Sequence, residues 1–127
     1  MRLLLDTHVF LCYVTGDSKL SSAAVEAIRD QANDVYLSGF LMWETIIKHN
    51  WVSCRFPTHP KQFLPEQREN HLISSLVLDE ASIRHLARLP GIHRDPFDRM
   101  LVCQAIEHKL TIITVDDSIR AYPVQVF

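Results

Sequence analysis

The sequence predicts an α/β fold built on a parallel sheet. Short apolar runs alternate along the chain with stretches of helical periodicity, a pattern typical of consecutive βαβ units. Hydrophobic residues make up 47% and charged residues 22%, a balance that supports a full core and excludes a disordered chain or a disulfide-rich miniprotein. The 127 residues are too few for two ordinary domains, so we expect one domain over residues 1–127.

The first predicted strand is the apolar run at residues 2–5. After turn residues at 15–18, Ser21 or Ser22 is placed to cap a helix that runs to about residue 30. The apolar side chains that share one face of this helix, and that we expect to be buried, are those of Ala24, Val25 and Ile28.

A second strand and a second helix follow, at residues 35–37 and from residue 39 to about residue 50. The helical periodicity places Trp43 in the core, on one apolar face with Phe40, Ile46 and Ile47. The stretch 51–71 contains three of the six prolines and predicts a short or kinked helix.

The second half of the chain continues the alternation of strands and helices. We predict a strand at 76–78 and then a helix that Asp79 caps and that Pro90 and Gly91 end. The inward face of this helix is expected to carry Ile83, Leu86 and Ala87. The remaining predicted elements are a helix at 96–109, a strand at 111–115, a helical turn at 117–121 and a final strand at 124–127.

Four acidic residues fall where parallel strands end and the following helices begin. Asp6 and Asp116 come directly after predicted strands, so both lie at the carboxyl edge of the sheet, where open α/β folds bind ligands. Asp98 lies in the first turn of its helix, which begins at the same edge. Glu44 lies about one turn into its helix, and its side chain leans back toward the helix N-terminus. We therefore expect the four carboxylates to share one cleft.

Four carboxylates in one cleft repel one another unless a cation neutralises them. Carboxylate oxygens without cysteine ligands suit hard cations, chiefly Mg²⁺ or Mn²⁺. Such ions serve phosphate chemistry, because they activate water and neutralise the charge that builds on the phosphate. The acidic cluster therefore predicts a metal-dependent nuclease.

Each acid also has a structural interpretation. Asp95 precedes a proline, which is typical of a helix start, and the acid three residues later favours the helix dipole. Glu44 and Lys48 have the i,i+4 spacing of a surface ion pair. Of the two acids at 116–117, we expect the first to be the ligand and the second to cap a helix. Asp6 is the hardest to explain structurally, because an acid that ends a buried apolar run is costly without a partner.

Basic residues near the acids offer weaker candidates. Arg94 and Arg99 flank Asp98 and are placed either to bind phosphate groups or to lie solvated at the surface. His8 and His93 lie near the same edge and are candidate substrate contacts. The seven histidines show no HExxH or histidine–cysteine ligand spacing, so we assign none of them to a metal.

Charge and cysteine content narrow the class of protein further. The formal net charge of −2 argues against a strongly basic nucleic-acid binder, although outside the four acids 13 basic residues face 11 acidic ones. The three cysteines lack CxxC spacing, which argues against disulfides or a zinc site and fits a reducing cytoplasm. The sequence shows no signal-peptide pattern and no apolar stretch long enough to span a membrane. We expect a cytoplasmic protein with no membrane partner.

Four segments together resemble the PIN-domain ribonucleases, and most closely the VapC-type toxins of prokaryotic type II toxin–antitoxin systems. These segments are LLLDTH at the start, SGFLMWETIIKH, HRDPFDRMLVCQAI, and LTIITVDDSIRAYPVQVF at the end. The resemblance covers nearly the whole chain in order and implies a three-layer α/β/α fold with a mostly parallel sheet. After WETIIKH this chain reads NWVSCRF, where the family commonly has a glycine-containing turn.

The resemblance also implies roles for individual residues. It makes Asp6, Glu44, Asp98 and Asp116 the acidic ligands of one or two Mg²⁺ or Mn²⁺ ions. It places hydroxyl groups near the metal or substrate at Thr7, Thr114 and Ser38, and a supporting carboxylate at Asp95. The weaker candidates for support or substrate contact are Arg94, Arg99 and Asp117.

Family resemblance further implies a homodimer that a cognate antitoxin holds inactive. Phe40, Met42 and Trp43, with the proline-containing stretch, are candidates to line a groove for an amphipathic partner helix. We therefore expect a metal-dependent endonuclease acting on RNA, preferably single-stranded or looped. The alternatives are a DNA, structure-specific or RNA-processing nuclease, and a PIN-like binding module without catalysis.

Overall fold

The computed structural model describes residues 1–51, 58–92 and 94–127, and it confirms the α/β class. Four strands form one sheet in the order β3-β2-β1-β4, and every neighbouring pair is parallel. The strands are β1 (Arg2–Leu5), β2 (Asp34–Ser38), β3 (Ser74–Leu76) and β4 (Thr111–Ile113).

Helices cover both faces of the sheet. The seven α-helices of the described residues are α1 (Thr7–Thr15), α2 (Ser22–Arg29), α3 (Phe40–Trp51), α4 (Pro60–Asn70), α5 (Glu80–Arg84), α6 (Pro96–His108) and α7 (Asp117–Arg120). A 3-10 turn at His85–Arg88 continues α5.

The central strand β1 divides the core into two layers. Leu3 and Leu5 face a cluster that includes Phe10 of α1, whereas Leu4 faces a cluster that includes Leu101 of α6. Successive strand residues point to opposite faces, so a fully buried run of leucines serves both layers at once. The fold is therefore the predicted three-layer α/β/α arrangement.

Several predicted helix starts are confirmed by their capping bonds. Ser21 Oγ accepts a hydrogen bond from the Ala24 amide, and Asp79 Oδ1 accepts one from the Ser82 amide. The helix predicted at 96–109 spans Pro96–His108, because Lys109 adopts a left-handed conformation and ends it.

Helix α1 was not predicted. Its sequence THVFLCYVT is apolar on nearly every side, so it lacks the polar face that distinguishes a surface helix from a buried strand. Val9 and Phe10 are almost completely buried, and Gly16 ends the helix in a left-handed conformation with φ 68°.

The strand predictions in the second half of the chain need correction. Strand β3 lies two residues before its predicted position, and β4 ends at Ile113 instead of residue 115. The predicted last strand at 124–127 is reduced to a single parallel bridge between Ile112 and Val126. Proline at 123, which has no amide to donate, precedes this bridge.

The predicted inward face of α5 is wrong. Ile83, Leu86 and Ala87 are exposed, and the residue of α5 that packs inward is Ser82. The helix predicted within 51–71 is α4, which begins at Pro60 and contains Pro65. The part of that stretch at 52–57 lies outside the described residues.

Candidate active site

The four predicted acids line one cleft at the carboxyl edge of the sheet. This cleft has a volume of about 570 Å³, and its walls also include Thr7, His8, Lys48 and Asp95. Asp6 follows β1 directly, and Glu44 lies in α3. Asp98 lies in the first turn of α6, and Asp116 precedes α7. The fold thus brings together side chains that are up to 110 residues apart in sequence.

Thr114 connects the acids at the two sides of the cleft. Its hydroxyl donates a hydrogen bond of 2.7 Å to Asp6 Oδ2 and accepts one of 3.0 Å from the Asp116 amide. The Asp6 amide in turn donates to the carbonyl of Ile113 in β4. Burial is the main cause that raises the pKa of Asp6. The hydrogen bond from Thr114 lowers this pKa in part, and the negative charge of Glu44 raises it further.

Asp116, and not Asp117, caps the last helix. Asp116 Oδ1 accepts a hydrogen bond of 2.8 Å from the Ser118 amide, whereas the Asp117 side chain is fully exposed and lies 4.0 Å from Arg120. A strand that runs to residue 115 predicts the cap at the second acid, Asp117. Since the strand ends two residues earlier, the capping position also moves back along the chain.

Glu44 is buried and has partners at both oxygens. Oε1 accepts a hydrogen bond of 2.8 Å from the Thr7 hydroxyl, and Oε2 accepts one of 2.7 Å from Lys48 Nζ. Burial alone would lower the pKa of Lys48, but the hydrogen bond and charge of Glu44, with the charges of Asp95 and Asp98, outweigh it and raise that pKa. The i,i+4 pair predicted from spacing is therefore present, and it lies inside the cleft.

Asp95 combines the predicted capping role with a position in the cleft. Its Oδ1 accepts hydrogen bonds from the amides of Phe97 and Asp98, while Oδ2 lies 4.0 Å from Lys48 Nζ. Among the described residues, oxygens of Glu44, Asp95 and Asp98 form a group that lies within 4.8 Å of one another. Asp6 and Asp116 line the same cleft outside this close group.

Ser38 and the two arginines lie elsewhere. Ser38 is buried, and its hydroxyl has no hydrogen-bond partner among the described residues. Arg99 donates to the carbonyl of Pro90 and to the Tyr122 hydroxyl, so it supports the loop before α6 instead of the cleft. Arg94 is exposed and is not part of the cleft wall. His8 lines the cleft, whereas His93 lies outside the described residues.

Trp43 is not a core residue. Its side chain is 61% exposed and packs edge-on against Phe97, with ring centroids 4.9 Å apart. Among the residues of α3 up to Lys48, the buried ones are Leu41, Glu44 and Thr45, because this helix turns part of its polar face toward the cleft. A pattern based on apolar side chains alone assigned the wrong face.

A second cavity of about 120 Å³ lies between α3 and α4. Ser38, Met42 and Arg68 contribute to its walls, together with apolar side chains such as Leu64. Of the three residues predicted for a partner groove, Met42 borders this cavity, whereas Phe40 stacks on Phe97, which also contacts Trp43.

A parallel three-layer fold that gathers carboxylates at the carboxyl edge of its sheet is able to hold a hard cation there. The sequence matches the profile of the PIN domain over residues 3–125. The chain therefore belongs to the PIN domain family, as the four sequence segments had indicated.

Solved structures share this fold at low sequence identity. One match is the structure of VapBC2 from Rickettsia felis bound to a DNA fragment from the VapBC2 promoter. Its TM-score is 0.72 at 12% sequence identity, and the match covers 100% of this chain and 98% of the other. FitAcB from Neisseria gonorrhoeae has a TM-score of 0.65 at 23% identity, with 98% and 96% covered. The structure of FitAB bound to an IR36 DNA fragment has a TM-score of 0.65 at 20% sequence identity, and the match covers 98% of this chain and 93% of the other. Among curated proteins, none matches the sequence significantly.

The described helices include none that is long and apolar enough to cross a membrane.

Proposed function

We propose that this protein is a divalent-metal-dependent endoribonuclease and the toxin of a toxin–antitoxin pair. The observation that carries the proposal is the close group of Glu44, Asp95 and Asp98 oxygens, in one cleft with Asp6 and Asp116. A PIN domain that keeps five carboxylates in one cleft is better suited to catalysis than to binding alone. The toxin assignment is supported by the fold shared with the VapBC2 and FitAB structures.

The donor set fits Mg²⁺ or Mn²⁺. All the potential ligands of the close group are carboxylate oxygens, which suit hard cations, and no cysteine lines the cleft among the described residues. We propose Asp6, Glu44, Asp98 and Asp116 as the ligands, with Asp95 close enough to take part. When bound, such an ion lowers the pKa of water and neutralises charge on the phosphate.

The protein's own residues orient these ligands. Thr114 fixes Asp6 relative to Asp116, and Thr7 fixes one oxygen of Glu44. Asp95 keeps the first turn of α6 in place through the two amides that it caps, one of which belongs to Asp98. These hydrogen bonds hold the carboxylates against their mutual repulsion.

Single-stranded or looped RNA is the proposed substrate, because its backbone can be splayed into a cleft. Trp43 packs against Phe97, whose ring centroid lies 6.0 Å from Lys48 Nζ in the cleft wall, and it offers an exposed aromatic surface for an unpaired base.

The proposed protein partners are a cognate antitoxin and a second copy of this chain. The α3–α4 cavity, with apolar walls and Arg68 at its side, is the proposed seat for an antitoxin side chain. The exposed apolar residues Val77, Ile83 and Leu86 around α5 are the proposed dimer surface. A cytoplasmic location follows from this proposal.

The test is cleavage of labelled single-stranded RNA, duplex RNA and single-stranded DNA by the purified protein. We expect cleavage of single-stranded RNA with Mg²⁺ or Mn²⁺, none with EDTA, and none by Asp98→Asn. Lys61→Met, an exposed change in α4, is the control and should cleave like wild type. Full activity in EDTA would contradict the metal proposal, and cleavage of DNA alone would contradict the choice of substrate.

The toxin assignment has its own test. Expression should arrest growth and create reproducible new RNA 5′ ends, and co-expression of a small adjacent gene product should relieve the arrest and co-purify. Harmless expression with no co-purifying protein would contradict the toxin assignment and leave the nuclease assignment standing.

A further inference from the structure

Lys48 places a cation of the protein inside the acidic cleft. Its ammonium lies 2.7 Å from Glu44 Oε2 and 4.0 Å from Asp95 Oδ2. Both carboxylates belong to the close group that suits a divalent ion. A positive charge of the chain thus contacts two of the three carboxylates of that group.

Burial distinguishes this ion pair from an ordinary pair on a helix surface. The side chain of Glu44 is only 4% exposed, and its other oxygen is already bonded to Thr7. A buried carboxylate without a compensating cation is costly, so Glu44 needs a positive partner at Oε2. An exposed i,i+4 pair has no such requirement and contributes little.

Lys48 is also able to leave. Its side chain is 56% exposed, on a flexible four-carbon stem, and its ammonium makes a point contact without the two-pronged geometry of arginine. The Phe97 ring centroid lies 6.0 Å from Nζ, which offers the ammonium a second resting place close by. By contrast, Thr7 has a short side chain and no comparable freedom to move.

We propose that Lys48 is a positioning residue that holds Glu44 and Asp95 in place in the absence of a divalent ion and leaves Glu44 when the ion binds. The inference rests on the metal site of the proposed function. A divalent ion bound by Glu44 would lie near the ammonium that Oε2 accepts from, and two neighbouring cations repel each other. Lys48 therefore preserves the arrangement of the cleft in the metal-free protein and weakens metal binding in return.

The first experiment measures Mn²⁺ binding to the metal-free protein by isothermal titration calorimetry. We expect Lys48→Met and Lys48→Gln to bind Mn²⁺ roughly threefold to tenfold more tightly than wild type, because the competing cation is gone. Lys48→Arg keeps the charge and should bind no more tightly than wild type. Lys61→Met removes one exposed positive charge from α4 and should leave the dissociation constant unchanged.

The second experiment compares thermal melts in EDTA and in saturating Mn²⁺. Lys48→Met should melt below wild type in EDTA, because Glu44 is left buried without a cation. The difference should shrink or reverse in saturating Mn²⁺, because the ion then replaces the ammonium. A purely structural lysine predicts the same deficit in both conditions.

These results separate failure of the inference from failure of the proposed function. If wild type binds Mn²⁺ and cleaves RNA but Lys48→Met and Lys48→Gln bind Mn²⁺ no more tightly, the role of Lys48 is overturned and the nuclease stands. If wild type neither binds Mn²⁺ nor cleaves RNA, the metal site is overturned and the role of Lys48 falls with it.

Discussion

The hydroxyl of Thr114 lies 2.7 Å from Asp6 Oδ2 and donates a hydrogen bond to it from a position 108 residues further along the chain. The Thr114 hydroxyl oxygen also accepts a hydrogen bond of 3.0 Å from the backbone amide of Asp116. One buried side chain therefore links the acid after β1 to the acid before α7. The relationship depends on the pairing of β1 with β4, which sets Leu5 beside Ile113.

Replacement of Thr114 by valine should destabilise the protein and misplace Asp6. The change keeps the shape of the side chain but removes both hydrogen bonds, and it leaves a buried carboxylate oxygen without its donor. We expect a loss of about 1–3 kcal/mol in the free energy of unfolding and a marked loss of RNA cleavage. Thr114→Ser retains the hydroxyl and should keep most of the wild-type stability and most of the RNA cleavage. Urea unfolding and a cleavage assay measure the two. A valine variant with wild-type stability would contradict the assigned bonds.

Replacement of Asp6 by asparagine should leave the metal-free protein at least as stable as wild type. The change is nearly isosteric and removes one charge from a cleft of repelling carboxylates, so we expect a gain on the order of 1 kcal/mol at neutral pH. Mg²⁺ at 100 times its dissociation constant should stabilise wild type by about 2.7 kcal/mol, and Asp6→Asn should lose most of that gain. Thermal melts in EDTA and across a Mg²⁺ titration measure both effects. A variant that melts clearly lower in EDTA yet keeps its Mg²⁺ response would remove Asp6 from the ligand set.

The raised pKa of Asp6 gives metal-free stability a defined pH dependence. Burial makes the folded protein bind the Asp6 proton more tightly than the unfolded chain does. The free energy of unfolding should therefore fall as the pH rises from the unfolded pKa of about 3.9 through the higher folded pKa, and the loss should persist above it. Asp6→Asn has no carboxyl proton to lose at this position. The excess of its free energy of unfolding over that of wild type should therefore grow with pH, from near zero at about pH 4 to a plateau. Urea unfolding without added metal from pH 4 to 8 measures the difference, and an advantage that shrinks with pH would contradict the assignment.

The end of β1 and several helix starts could be predicted from the sequence because they rest on local signals. Asp6 ends an apolar run, Asp95 precedes a proline, and Ser21 and Asp79 stand in front of helical periodicity. These signals, with the carboxyl-edge rule for parallel sheets, were sufficient to place four distant acids on one cleft.

Burial within the helices could not be predicted in the same way. The apolar character of Trp43, Ile83 and Leu86 suggested a core, but all three are exposed, whereas Glu44 and Ser82 are buried. Which face of a helix is buried depends on its position over the sheet and on the acidic cleft, and neither is encoded in a local window. The i,i+4 spacing of Lys48 and Glu44 was visible, but its place inside the cleft depends on how α3 packs.

Trp43 gives the last prediction, which concerns substrate binding. The indole is exposed and packs against Phe97, and these two aromatic residues directly precede two proposed ligands, Glu44 and Asp98, in the sequence. In an Asp98→Asn background that cannot cleave, Trp43→Ala should weaken binding of single-stranded RNA by about 1–3 kcal/mol, the contribution of stacking one base. Trp43→Phe keeps a stacking surface and should retain most of the affinity, and Leu72→Ala, an exposed apolar change between α4 and β3, should have no effect. Fluorescence anisotropy with labelled RNA measures all three. If Trp43→Ala binds RNA normally but no longer forms the dimer or captures the antitoxin, the exposed indole serves a protein interface and not the RNA.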